Sequence, residues 1–180
     1  GIPPVGGNVS LTQATRNTLA LLEYAGRQDV PVAEGAARPL RGRYGYSHSF
    51  HGRTGLSRRL PKPNSRPIET NAVDFLGQML GEQPGQYHLV ALGPLTNLAQ
   101  LMATHPDALA QAASITIMGG AVNVPGNVTP YAEFNFFSDP VAAQQVLASG
   151  IPLALVDLGA SLQAFISRAE AEGLKSTSRI

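Results

Sequence analysis

The chain has 180 residues, 43% of them hydrophobic and 14% charged, which is enough apolar material for one domain with a buried core and excludes a disordered or fibrous chain. Thirteen Lys and Arg against twelve Asp and Glu leave a formal charge of +1, so no overall field draws the chain to nucleic acid or to an anionic membrane. Cysteine is absent, which excludes disulfides, thiolate metal sites and a cysteine nucleophile together.

In chain order, Gly1 to Gly7 reads as the tail of a strand and a loop, and a further segment is expected upstream. Ser10-Leu11-Thr12-Gln13 has the S-x-x-Q form of a capping box, and Leu11, Ala14, Leu19, Leu22 and Ala25 then predict a helix with one buried face, stopped by Gly26. Val30 to Ala33 predicts a short strand ended by Gly35. Residues 35–68 hold no acid but eight bases: Arg38, Arg41, Arg43, Arg53, Arg58, Arg59, Lys62 and Arg66. A loop of this length is expected to be functional or partly disordered.

Ala72, Val73, Phe75, Leu76, Met79 and Leu80 predict a helix up to Gly81, and Tyr87 to Leu92 a strand. Gly93-Pro94 predicts a helix opening with Pro at its first position, with Leu95, Leu98, Ala99 and Met102 on one face. Ile115 to Met118 reads as a buried strand closed by Gly119-Gly120, followed by a loop over 121–132. Asp139-Pro140 reads as an N-cap followed by Pro at the first helical position, and that helix runs to Gly150. Leu153 to Val156 is the last predicted strand, Ser161 to Lys175 a terminal helix and Ser176 to Ile180 a frayed end.

Apolar strands joined by amphipathic helices imply the α/β class: a doubly wound, mainly parallel sheet with helices on both faces. The expected organisation is a single, partial domain over 1–180 with residues 35–68 as a long basic loop within it. The longest apolar stretches, such as Ile151 to Leu155, fall far short of the ~20 residues of a membrane helix, so no membrane partner is expected. A soluble protein in a reducing compartment, the cytoplasm, follows as an expectation.

In an open parallel sheet, ligands bind beyond the carboxyl ends of the strands. The loops after Val5, Leu92 and Met118 should converge there, carrying Asn8, the Leu92 to Pro94 backbone, Asn127, Thr129, Glu133 and Asn135. Amides that both donate and accept, beside a carboxylate that accepts, suit a polyhydroxyl ligand such as a sugar. The same residues have plainer readings: Asn8, Asn127 and Thr129 as turn formers, Glu133 as a solvated helix-start acid, Met118 as core.

Five motifs carry a resemblance. Gly-Asn-Val-Ser-Leu at 7–11, Thr-Arg-Asn at 15–17, His-Gly-x-x-Gly-Leu at 51–56, Ala-Leu-Gly-Pro-Leu-Thr-Asn-Leu-Ala at 91–99, and Ile-Met-Gly-Gly-Ala followed by Gly-Asn-Val-Thr-Pro-x-Ala-Glu-Phe-Asn-x-x-x-Asp-Pro over 117–140 closely resemble the inosine-uridine preferring nucleoside hydrolases. The resemblance implies an N-ribosyl hydrolase of nucleoside salvage, a homo-oligomer on a doubly wound α/β fold, using Ca²⁺ and taking a nucleoside or ribose as its small-molecule partner. It implies that Asn8, Asn127, Glu133 and Asn135 bind ribose hydroxyls, that Met118 lines the sugar pocket, and that the Leu92 backbone carbonyl is a Ca²⁺ ligand. His51 matches the family's loop histidine, which in some members assists the leaving group; a histidine kept for loop packing is the alternative.

The sequence departs from the family pattern at both ends. The aspartate-rich D-x-D-x-x-x-D-D segment, which supplies most Ca²⁺ carboxylates and the general base, has no counterpart, since no Asp precedes Asp29. The later His-Asp pair is also missing, and Ser57-Arg58-Arg59 stands where the family often has Gly and an acid. Asp157 reads as a stray ligand or a helix cap. Three readings follow: a nucleoside hydrolase of which this chain is a piece, inactive alone; a degenerate ribose-binding remnant; and a nucleic-acid or polyphosphate contact made by the basic loop with Tyr44, Tyr46 and Phe50. The first is preferred, and nucleic acid is not the expected partner.

Overall fold

The computed structural model describes residues 1–175. Three short strands, β1 (His88–Ala91), β2 (Ser114–Met118) and β3 (Ala154–Val156), form a parallel sheet in the order β1-β2-β3. The register sets Leu89 beside Ile115 and Ile117 beside Leu155, so the apolar residues of one face line up across all three strands. Parallel neighbours need crossovers. Between β1 and β2 the chain passes through α4 (Thr96–Thr104) and a 3-10 turn over Leu109–Gln111; between β2 and β3 it passes through α5 (Phe134–Ser138) and α6 (Pro140–Leu147).

The core lies between this sheet face and the helices. Leu76 and Leu80 from α3 (Ala72–Glu82), Leu98 and Leu101 from α4, and Val146 from α6 bury themselves with Ile115 and Ile117. Asn71 starts α3 by accepting from the Val73 and Asp74 N–H groups, and Asp139 starts α6 by accepting from Ala142, with Pro140 as its first residue. Among the described residues these helices cover one sheet face. The other face bears Val90 and Val156, which are 64% and 39% exposed.

The strand expected at 30–33 is a single bridge, Ile2 to Val32, inside a longer parallel run. Gly35 donates to the Pro4 carbonyl at 3.0 Å and Gly6 to that of Ala36 at 2.9 Å, but Pro3, Pro4 and Pro31 have no N–H to give, so no regular ladder forms. Two helix boundaries also differ from expectation. α4 begins at Thr96, two residues after Pro94, because Thr96 and Asn97 are held by side-chain bonds to Asp139 and to the Pro3 carbonyl. The terminal helix expected over 161–175 is confined to α8 (Arg168–Lys175), which Ser167 opens by accepting from the Glu170 N–H, and a separate turn, α7 (Leu158–Ser161), capped by Asp157, precedes it. The expected frayed end, Ser176 to Ile180, lies outside the described residues.

The first helix, α1 (Leu11–Tyr24), is capped by Ser10, whose hydroxyl accepts from Gln13 N–H at 3.3 Å; the Gln13 side chain turns to Asn17 instead of closing the box. α1 also orders the basic loop, which has one short helix, α2 (His48–His51). Ser47 N–H donates to the Asn8 carbonyl just before α1, Asn17 Nδ2 donates to the Thr54 carbonyl, and the Glu23 carboxylate accepts from the Asn64 and Ser65 N–H groups. The loop is therefore fastened along α1 at three successive points, each pair advancing in the same chain direction.

Candidate active site at the strand tips

The site begins with Glu133, which N-caps α5 and is only 2% exposed. Its Oε1 accepts from Asn135 N–H at 2.8 Å, and its Oε2 accepts from Gly120 N–H at 3.0 Å and Phe136 N–H at 3.1 Å. One carboxylate thus joins the end of β2 to the first turn of a five-residue helix too short to hold itself. The Phe136 ring packs on Gly119, where a Cβ would stand 2.4 Å from Cε1, so only glycine admits this approach. The alternative reading of a solvated helix-start acid does not hold, since Glu133 is buried and its two oxygens accept three backbone N–H bonds as a helix cap.

Asn135, held by that cap, reaches back over the strand tips. Its Nδ2 donates to the Met118 carbonyl at 3.0 Å and to the Leu92 carbonyl at 3.4 Å, and lies 3.2 Å from Met118 Sδ. One carboxamide therefore bridges the ends of β1 and β2. Asn135, Leu92 and Asn8 line one end of a cavity of about 450 Å³ that runs along the open edge of β1, between it and the Ile2 to Val5 segment. Asn8 is exposed, and its carbonyl is the anchor for Ser47.

Asn127 stands one step outside, exposed, its Oδ1 accepting from Phe134 N–H at 2.9 Å. Thr129 is the turn former it could be, accepting from Tyr131 and Ala132. His51 ends α2 with its ring edge-on to Phe50 at 4.9 Å and does not line the cavity. Asp157 is a structural cap: it accepts from Ala160 and Val122 N–H groups, and these bonds, that to Ala160 first, hold its carboxyl below the usual carboxylate range.

Sequence reasoning missed Asn97 altogether and read Asp139 only as a helix cap, although both frame the site. Asn97, 6% exposed, accepts from Ala36 N–H at 2.8 Å and donates to the Pro3 carbonyl at 3.1 Å, clamping the N-terminal segment to α4. Asp139 Oδ2 accepts from Leu40 N–H at 2.9 Å and from the Thr96 hydroxyl at 2.7 Å. Thr96 spends its only proton there, so Tyr44 donates to Thr96 Oγ1 across 2.7 Å. Both lie inside conspicuous motifs, yet nothing in the residue type of Asn97 separated it from a ligand-binding amide.

The Ca²⁺ implied by resemblance can be tested against these donors. The oxygens brought to the cavity rim, the Leu92 carbonyl and the Asn8 amide, are neutral, and among the described residues no group of three or more His, Cys, Asp or Glu could hold a metal. Calcium affinity depends on the number of charged oxygen ligands. These residues alone do not fit a Ca²⁺ site.

Comparison with known proteins decides the family. The family model for inosine-uridine preferring nucleoside hydrolase matches residues 1–179. The chain belongs to this family. It is 42% identical over 169 residues to uridine nucleosidase 1 of Arabidopsis thaliana, covering 93% of this chain and 50% of that one. To the pyrimidine-specific ribonucleoside hydrolase RihA of Salmonella arizonae it is 40% identical over 171 residues, covering 94% and 55%. Among solved structures, the plant nucleoside hydrolase PpNRh1 superposes with a TM-score of 0.90 at 39% identity, over 97% of this chain and 56% of that one. The purine-preferring ribonucleoside hydrolase from Gardnerella vaginalis gives 0.93 at 28% identity, over 98% and 57%. The chain thus spans about half the length of these relatives, and the family is one of metal-dependent enzymes with an α/β fold. Among its described residues no helix is long and apolar enough to cross a membrane.

Proposed function

We propose that this chain forms the sugar-facing half of a nucleoside hydrolase site, serving hydrolysis of the N-glycosidic bond of ribonucleosides to free base and ribose. The observation that carries the reading is the shared cavity of Asn8, Asn135 and the Leu92 carbonyl at the strand tips of a chain of this family. Asn8, Asn135 and, further out, Asn127 present amides to ribose hydroxyls, and Met118 lines the sugar. Glu133 positions Asn135. As the bond from C1 to the base breaks, C1 gains oxocarbenium character and a water oxygen takes its place. His51, carried on a segment anchored to Asn8, assists the departing base.

Ca²⁺ enters this reading only with carboxylates that the described residues do not bring; Leu92 would then contribute its carbonyl. A nucleoside as small-molecule substrate, a homo-oligomeric assembly and a cytoplasmic location belong to the same proposal. Binding of uridine to the chain, followed by ligand-observed NMR, tests it. Asn8→Ala and Asn135→Ala should each weaken binding about tenfold, the scale of one buried hydrogen bond, and 2′-deoxyuridine should bind less well than uridine. Undiminished binding of uridine by both variants would remove the proposal's basis.

A further inference from the structure

A second cavity, about 390 Å³, opens between α1 and the segment that follows α2. Three arginines, Arg16, Arg58 and Arg59, line it from two distant parts of the chain, together with the apolar Leu56 and Leu60. None of the three makes an ion pair among the described residues; the arginine ion pairs there are Arg27 with Asp29 and Arg168 with Glu172. The stretch that supplies Arg58 and Arg59 holds no acid. The wall is built and not adventitious. Gln13 Nε2 donates to Asn17 Oδ1 at 2.8 Å, and Asn17 Nδ2 to the Thr54 carbonyl at 2.7 Å, which fixes the turn that presents both loop arginines.

Three like charges drawn to one concavity repel each other, and an anion offsets that cost. Guanidinium groups match the oxygens of a phosphoryl group in planar, two-pronged hydrogen bonds, which an ammonium cannot do. Asn17 lines this cavity and the strand-tip cavity alike, and Gly55 of the second follows Thr54 of the first, so the two adjoin.

We infer that Arg16, Arg58 and Arg59 form a binding site for a phosphoryl group, either free orthophosphate or the 5′-phosphate of a nucleotide, next to the strand-tip cavity. The site stands on its own residues and does not require the sugar-site reading.

The test is calorimetric titration of the 180-residue chain with orthophosphate, uridine 5′-monophosphate and uridine, at ionic strength held constant with sodium chloride. Orthophosphate should bind saturably. Arg16→Gln and Arg59→Gln should each weaken it about tenfold, and the Arg58→Gln/Arg59→Gln pair should abolish it. Arg53→Gln, in the same loop but outside the cavity, should bind as the original chain does, and circular dichroism checks that each variant is folded. If the monophosphate binds more tightly than orthophosphate and uridine, the phosphate is that of a nucleotide spanning both cavities; if it binds no better than orthophosphate, the free ion is the ligand. Absence of saturable phosphate binding, or equal loss in Arg53→Gln, would overturn the inference. Loss of uridine binding alone would count against the sugar site and leave this one standing.

Discussion

Tyr44 shows how much one hydroxyl can carry. It is 8% exposed, it donates to Thr96, and Thr96 passes the interaction to the buried Asp139 carboxylate. Burial, opposed by the bond to Thr96 and reinforced by the charge of Asp139, pushes its phenol up to about 12 from the ordinary 10. A folded-state value above the unfolded one means that the folded chain keeps its proton longer. Stability from this group is therefore complete below pH 10 and is lost as pH rises from 10 toward about 12. Tyr44→Phe should cost about 1 kcal/mol at neutral pH and flatten that alkaline decline, as read by urea unfolding at a series of pH values. At this scale the motif context marked Asn8, Glu133 and Asn135 alike, but did not show that Glu133 caps a helix. A carboxylate's residue type fits a sugar acceptor and a helix cap equally well, and only the position of the Gly120, Asn135 and Phe136 amides separates the two.

Among the elements, the loop over 121–132 is set by contacts that leave no room. A Cβ on Gly126 would lie 2.3 Å from the Ala132 carbonyl oxygen and 2.4 Å from its nitrogen, backbone atoms that cannot swing aside. Gly126→Ala should destabilise the chain by about 2 kcal/mol, within the range for overpacking, and displace Asn127 from Phe134. Thermal unfolding reads the first effect, and the amide shift of Phe134 the second. The apolar periodicity located α1, α3, α6 and the three strands to within a few residues, because packing against one core imposes that spacing. It failed where polar groups decide: the cap at Ser167 starts the terminal helix only at Arg168, and the proline nitrogens reduce the 30–33 strand to one bridge. The order in the basic loop was equally hidden, since it is supplied by α1 and not by any period of its own.

For the molecule as a whole, the relation between sheet and cavity governs what the chain can do alone. β1 ends the sheet, and beyond it lies the strand-tip cavity instead of a further paired strand among the described residues. With only neutral oxygens at that rim, the isolated 180-residue polypeptide should take up Ca²⁺ no more tightly than the millimolar range and release no base from inosine or uridine in a Ca²⁺-dependent way. Calorimetry with calcium chloride and a reducing-sugar assay check the two parts, and robust turnover would refute the second. The family motifs raised this expectation before any coordinates, because the amides and the aspartate-rich segment that the resemblance implies fall in separate stretches of sequence.

The three fastenings along α1 have one more effect. Because the turn ahead of Arg58 and Arg59 is held by Asn17 and the end of the loop by Glu23, unwinding of that helix frees the arginine strip, Arg16 with it, while the Ser47 bond to Asn8, just outside the helix, still tethers the His51 segment. The proposed anion clamp is thereby yoked to the melting of a single fourteen-residue rod.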